Sequence, residues 1–273
     1  MEEERDEGKV VENTVDSNTG DVLIVGAGIS GIQAALDLAN NGFKVYLIDK
    51  SPAIGGKMSQ LDKTFPTNDC SMCIESPKFI ECNRHPNITI MTYTEVDRIE
   101  GEAGDFRVSL VKKPRYIDSE KCRGCTTCTE YCPVKIPNKY NQNLSQAKCS
   151  HIYFSQAVPL IPYIDGEHCL FLKDEKCTIC QGVCKNSAID LNQKPERVDI
   201  EVGAVILSPG YETFDPALRN DFGYGQMANV VTSLDFERIL CSTGPYEGEI
   251  KRPSDGKHPK RSLDTMCWFE AGT

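Results

Sequence analysis

Residues 21–50, DVLIVGAGISGIQAALDLANNGFKVYLIDK, decide the fold. VLIV is a short continuous apolar run, the pattern of a strand buried on both faces. It runs into Gly26, Gly28 and Gly31, spaced G-x-G-x-x-G. ISGIQAALDLAN then carries apolar residues near helical spacing, and Asn41-Gly42 is a helix stop. FKVYLIDK is a second buried strand that ends on Asp49. Strand, glycine turn, helix and acid-terminated strand together predict a β-α-β unit for a dinucleotide. Gly26 permits the turn, Gly28 lets the backbone approach a pyrophosphate, and Gly31 lets the helix pack close to the strand. The helix N-terminus faces the phosphates with its positive end. Asp49 is placed to accept hydrogen bonds from a ribose, and an acid here disfavours a 2′-phosphate.

Outward from this unit, Gly55-Gly56 in KSPAIGGKMSQLD resembles the second glycine element of two-dinucleotide-binding flavoproteins. That moves the expectation from NAD to FAD. The expected cofactor contacts are Gly26, Gly28, Gly31, Asp49, Lys50, Gly56 and Lys57. Further on, NITIMTYTEVDRIEG and DFRVSLVKK alternate as strands. RVDIEVGAVILSPGY reads as strand, turn and buried strand, so the chain from 193 rejoins the sheet begun at 21. A helix is expected from about Ser233, with Ser233 as its N-cap.

Between these parts lies a cysteine-rich insert. Cys122, Cys125, Cys128 and Cys132, followed by Pro133, have the C-x2-C-x2-C-x3-C-P spacing of ferredoxin-type [4Fe–4S] ligation. The second half is irregular. Cys177, Cys180 and Cys184 fall where three ligands belong, Asp174 stands where the first cysteine is usual, and Cys169 can replace it. In two-cluster ferredoxins the fourth cysteine of each motif serves the other cluster. The predicted sets are therefore Cys122, Cys125, Cys128 and Cys184 for one [4Fe–4S] cluster, and Cys169, Cys177, Cys180 and Cys132 for the other. Zinc sites favour paired C-x2-C knuckles instead. Cys70, Cys73 and Cys82 could be a redox dithiol, cluster ligands or packed thiols. His85, Cys149, His151, His168 and Cys241 read as structural. No acid–base or nucleophile constellation is visible, so no catalytic residue is assigned.

Composition narrows the class. The chain has 273 residues, 14 cysteines and a formal charge of −10. Residues 1–20 are acidic and poor in apolar groups, the pattern of a disordered tail. No basic, aromatic-interleaved patch points to nucleic acid. No apolar run is long enough to span a bilayer and no signal region opens the chain, so a cytoplasmic location without membrane is expected. Many cysteines in that setting favour metal or redox chemistry over disulfides.

Several phrases together resemble the A subunit of heterodisulfide reductase, the flavin and iron–sulfur subunit of methanogenesis: VGAGISGIQAALDLAN, IGGKMSQLDKTFPTNDCSMC, RHPN, KKPRYID, NVVTSLDFERIL and RPSDGKHPK. The resemblance covers residues 21–261. It implies a Rossmann-like, thioredoxin-reductase-like α/β FAD domain interrupted by an α+β two-cluster ferredoxin-like insert. The implied division is 21–113 and 193–261 for the FAD domain and 114–192 for the insert. It also implies electron transfer through FAD and [4Fe–4S] clusters towards reduction of the CoM-S-S-CoB disulfide and of ferredoxin. The implied partners are the other reductase subunits, a hydrogenase or formate dehydrogenase type donor, and ferredoxin. Two other readings are a glutamate-synthase-like FAD and iron–sulfur oxidoreductase subunit, and a truncated, non-enzymatic cluster-binding remnant.

After Arg261 the family pattern calls for a strand ending IQCVGSR, but the sequence reads SLDTMCWFEAGT. One permitted set of codons for those residues, read one base later, encodes VLIQCVGSRQE. Residues 262–273 are therefore expected to be an out-of-frame tail, with the protein truncated at its C-terminal end.

Overall fold

The computed structural model describes residues 20–260. The acidic tail, apart from Gly20, and residues 262–273, expected to be out of frame, lie outside the described residues. Strand β1, Val22–Val25, is followed by helix α1, Ile29–Asn40, and strand β2, Val45–Asp49. Helix α2, Ser71–Arg84, leads into β3, Ile88–Thr92. The apolar runs form strands because both their faces are covered. Leu23, Ile24, Val45 and Leu47 are fully buried.

The segment read as one long strand from 88 divides at Tyr93, whose φ of 60° lies in the left-handed region. Strand β3 stays in the parallel sheet, while β4, Thr94–Glu102, starts an antiparallel sheet with β5, Asp105–Lys112. Side-chain alternation runs through Tyr93 unbroken, so period alone could not mark the break.

After β5 come α3, Thr127–Glu130; β6, Lys135–Pro137; β7, Gln146–Lys148; β8, Ser150–His151; and β9, Tyr163–Ile164. Helices α4, Leu170–Asp174, and α5, Ile179–Val183, complete this segment. Strand β10, Glu196–Val202, then pairs antiparallel with β5, setting Glu196 opposite Lys112. Strand β11, Ala204–Leu207, pairs parallel with β1. The parallel sheet is thus ordered β11-β1-β2-β3, and the second sheet β10-β5-β4.

The parallel sheet has a core on each face. On one face α1 and α2 pack with Ile32, Ala35, Leu36, Phe79 and Cys82. On the other, Leu23, Tyr46 and Ile48 meet Val108, Leu110, Ile200 and Val202 of the antiparallel sheet. The cysteine-rich segment has a third core around Ile117, Ile136, Ile164, Ala188 and Ile189. Its two ends meet, because Ile117 and Ile189 form an antiparallel bridge.

Helix α6, Ser233–Leu240, is capped by Thr232, not by Ser233, which is its first helical residue. Thr232 Oγ1 accepts from the Asp235 N–H at 3.1 Å, and Asp235 Oδ2 accepts from the Thr232 N–H at 2.8 Å. The adjacent hydroxyls are equivalent by type. Asp235, three residues after Thr232, decides between them by closing the reciprocal box.

Candidate functional site

The glycine turn at the C-terminal end of β1 is as tight as its spacing requires. Gly26 has φ +102°, and a Cβ there would lie 2.1 Å from the Ser208 carbonyl oxygen. A Cβ on Gly31 would lie 1.9 Å from the Gly26 oxygen, so α1 sits against the turn with no room for a side chain. Gly28 is different. It has extended geometry with φ −77°, and a Cβ there would meet only the Gly56 Cα, at 3.9 Å. The protein itself does not demand a glycine at 28, yet one is there. Space is left open beside the uncapped start of α1, where backbone N–H groups and the positive helix end favour a phosphate.

The second glycine element closes on the first. Gly55 donates its N–H to the Ala27 oxygen at 2.8 Å, and Gly28 and Gly55 form a parallel bridge. Asp49, at the end of β2, holds this turn in shape. Its Oδ2 accepts from the Ala27 N–H at 2.7 Å and its Oδ1 from the Ser51 N–H at 2.8 Å. Each carboxylate oxygen keeps a lone pair for a ribose hydroxyl. Lys50 is exposed beside it, and Lys57 is half-buried as the cap of the 3-10 turn Met58–Gln60.

The nine cysteines of residues 114–192 line two hollows. Cys122, Cys125, Cys128 and Cys184 line the first. Cys132, Cys169, Cys177 and Cys180 line the second, together with Cys149. Helix α3 carries Cys128, and α5 carries Cys180. Two left-handed residues, Thr126 before α3 and Glu175 after α4, let the backbone curl around the hollows. Backbone N–H groups aim at sulfur in the first hollow: Gly124 at Cys122, 3.4 Å, and Ala188 at Cys184, 3.3 Å. In the second, a hydrogen bond from Cys149 holds Cys132 below the usual thiol range. Burial raises Cys128 and Cys180.

The donor set fits a polynuclear cluster better than a single ion. A tetrahedral zinc with 2.3 Å bonds to sulfur holds its thiolates only about 3.8 Å apart. Among the described residues, the set of three ligand atoms that draws within 4.8 Å is Asp165, Glu167 and His168, with none of the cysteines in it. That acidic set already has a cation, because Lys139 Nζ lies 3.8 Å from Asp165 and 3.7 Å from Glu167. The structural reading of His168 agrees with its bond to Asp165 Oδ1 at 2.9 Å.

The connector between the two cysteine motifs, residues 138–168, does more than link them. Tyr140, Phe154 and Ala157 enter the core that covers α1 and α2. The Ile54 N–H donates to the Val158 oxygen at 3.0 Å, and Gln60 Nε2 to the Tyr140 oxygen at 3.1 Å. Arg115 is a half-buried clamp. It donates to the Ile161 oxygen at 3.1 Å, to Thr92 Oγ1 at 2.9 Å and to the Pro52 oxygen. Arg238 of α6, fully buried, donates to Asn141 Oδ1 and to the Gln60 oxygen. A run of aromatic contacts joins His151 to Tyr163 (4.6 Å between ring centroids), Tyr163 to Tyr153 (6.3 Å), Tyr153 to Phe154 (6.0 Å) and Phe154 to Phe79 (6.3 Å). It begins next to Ser150 of the second hollow and ends at Phe79, whose ring abuts Gly55. Sequence reasoning missed this junction. Its one signal was the density of aromatic residues in KYNQNLSQAKCSHIYF.

Cys82 is fully buried, its Sγ donating to the Ile32 oxygen at 3.8 Å. Cys70 and Cys73 are joined as a disulfide. His85 caps the end of α2, its Nδ1 accepting from the Asn87 N–H. No helix among the described residues is long and apolar enough to cross a membrane.

Residues 21–153 match the family model of FAD dependent oxidoreductases. The sequence is 47% identical over 245 residues to the A subunit of the H(2):CoB-CoM heterodisulfide,ferredoxin reductase of Methanothermobacter marburgensis, covering 90% of this protein and 36% of that one. It is 49% identical over 249 residues to the second iron-sulfur A subunit of the CoB–CoM heterodisulfide reductase of Methanopyrus kandleri, covering 91% and 37%. The chain thus spans little more than a third of the length of these relatives. A solved thioredoxin reductase of T. acidophilum aligns at 26% identity over 33% of this protein and 30% of its own length, with a TM-score of 0.29.

Proposed function

We propose that this protein, a homologue of heterodisulfide reductase A subunits over nine tenths of its length, is the flavin and iron–sulfur electron-transfer part of such a subunit. FAD would lie along the glycine cradle. Gly26, Gly28 and Gly56 would border its pyrophosphate, Gly31 would let α1 approach, Asp49 would meet a ribose, and Lys50 and Lys57 would flank it. Two [4Fe–4S] clusters would fill the cysteine hollows of a ferredoxin-like insert over 114–192. The observation that supports the reading is that the eight predicted ligands, Cys149 aside, divide into two sets of four, each set taking its last member from the other motif.

When bound, the clusters carry single electrons and the flavin couples them to two-electron chemistry. The protein's own residues fix the spacing and the surroundings of these groups. Arg115 and Arg238 hold the insert against the cradle, and the aromatic junction keeps water out of the gap. N–H groups directed at cluster sulfurs raise the potential by stabilising the more negative state. The electrons would pass towards reduction of the CoM-S-S-CoB disulfide and of ferredoxin. The partners would be the disulfide-reducing and iron–sulfur subunits and a hydrogenase or formate dehydrogenase type donor.

Anaerobic purification followed by flavin and iron analysis tests the proposal. The expected result is bound flavin with about eight irons per protein molecule, from two four-iron clusters. Iron without flavin supports a cluster-holding remnant, and zinc without iron rejects both.

A further inference from the structure

Two hydroxyls in the cysteine-rich segment are buried without a use in the fold. Ser150, in β8, is 1% exposed, and its Oγ has no hydrogen-bond partner among the described residues. The same holds for Oγ1 of Thr129, in α3. A hydroxyl sealed from water and left unpaired costs stability, and an alanine at 150 would pack as well without that cost. A buried orphan of this kind calls for a partner that binding supplies.

Its position says which partner. Strand β8 packs against α3, the helix that carries Cys128 of the first hollow. Burial raises the Cys128 thiol, and hydrogen bonding from the Ser150 and Thr129 hydroxyls opposes the rise, so that sulfur is within reach of both. Ser150 also lines the second hollow. There Cys132 is favoured as thiolate first by the Cys149 thiol and then, against burial, by the Ser150 N–H. One residue thus offers its side chain to a ligand of the first hollow and its main chain to a ligand of the second.

We propose that Ser150 is a positioning residue shared by the two clusters, its hydroxyl donating to the Cys128 thiolate and raising the reduction potential of the cluster in the first hollow, while its N–H serves the second. The inference rests on the cluster reading above and deepens it. Ligation leaves Cys128 as a thiolate, which accepts. A reduced cluster carries one more negative charge than an oxidised one, so a fixed donor stabilises the reduced state more. Thr129 adds a second hydroxyl at the same sulfur. A side-chain change at 150 leaves the N–H in place, and the two clusters can therefore be shifted apart.

The test is a redox titration of the full-length, iron-loaded protein, followed by electron paramagnetic resonance. Cys184→Ser and Cys180→Ser assign the signals of the first and second hollows. Ser150→Ala should lower the reduced-to-oxidised ratio of the first signal about tenfold at a fixed potential, a midpoint shift of about 59 mV for one electron. The second signal, the iron content and the circular dichroism should stay as they were. Ser150→Thr, which keeps a hydroxyl, should restore most of the loss, and Thr129→Val should move the same first signal downward. The inference is overturned if Ser150→Ala moves neither signal, moves both alike, or sheds a cluster, which would make the residue a structural support. Protein without iron rejects the cluster reading itself, whereas two intact clusters with unmoved potentials reject this inference alone.

Discussion

The Cα of Gly28 stands 2.9 Å from where a Cβ on Gly56 would be, so the two glycine elements meet backbone to backbone. This contact separates glycines the fold needs from one it does not. Gly31→Ala must push against the Gly26 carbonyl and should cost about 2–3 kcal/mol or more. Gly28→Ala meets only ordinary contact and should stay within about 1 kcal/mol of the original stability. Its methyl group would project into the open cradle, so flavin retention should fall although the fold persists. Denaturant melts together with flavin absorbance of the purified variants read both effects.

The hollows predict how iron is lost. Cys128 and Cys184 line the same hollow, far apart in sequence, so Cys128→Ser and Cys184→Ser should remove the same cluster. Cys180→Ser should remove the other, as should Cys132→Ser, although Cys132 lies four residues from Cys128. Each variant should keep about four of eight irons. Electron paramagnetic resonance of the reduced variants distinguishes the remaining signal. Loss of the same signal in Cys128→Ser and Cys132→Ser would contradict the crossed arrangement.

Arg115 joins the insert to β3 and to the loop after β2 through one half-buried guanidinium. Burial lowers its pKa to about 10, still charged at neutral pH. Arg115→Met fills the space but leaves the Ile161 and Pro52 oxygens without their donor. A loss of roughly 2–4 kcal/mol is expected in chemical denaturation. Arg115→Lys should recover only part, since an ammonium cannot reproduce the fork.

Glu75 makes stability depend on pH. Burial pushes its carboxyl from an ordinary 4.5 up to about 8. Between those values the folded protein holds a proton that the unfolded one has released. The fold is therefore favoured at low pH, and stability falls as pH rises through this window. Glu75→Gln should flatten that slope and be the more stable form above pH 8, by on the order of a few kcal/mol. Urea midpoints measured across the window check the sign.

The first β-α-β unit and the cysteine sets could be read early because each rests on local chemistry. A glycine turn needs glycine, and a cluster needs thiols at spacings one or two helical turns can deliver. What stayed hidden depends on contacts made far along the sequence. Tyr93 breaks an alternating run through a left-handed backbone that no side-chain pattern announces. Ser71 and Glu75 looked like ordinary polar residues, and only packing shows them sealed from water. Helix α2 forms although it contains Pro77, a residue that disfavours a helix interior. Cys169 is proposed in place of Asp174 because it is the nearest preceding cysteine, and it lines the same hollow as Cys177 and Cys180.

The cysteine-rich segment enters and leaves through neighbouring strands, yet it lends Tyr140, Phe154 and Ala157 to the core behind the glycine turn. It is consequently not a detachable cassette. Replacing it by a short hairpin between β5 and β10 would keep both sheets connected and still open a hole beneath α1 and α2. During synthesis the same arrangement imposes an order. The nucleotide half cannot finish its interior until the ribosome has delivered Phe154, so any shortage of iron that leaves the insert unformed would be felt first as a failure to hold flavin.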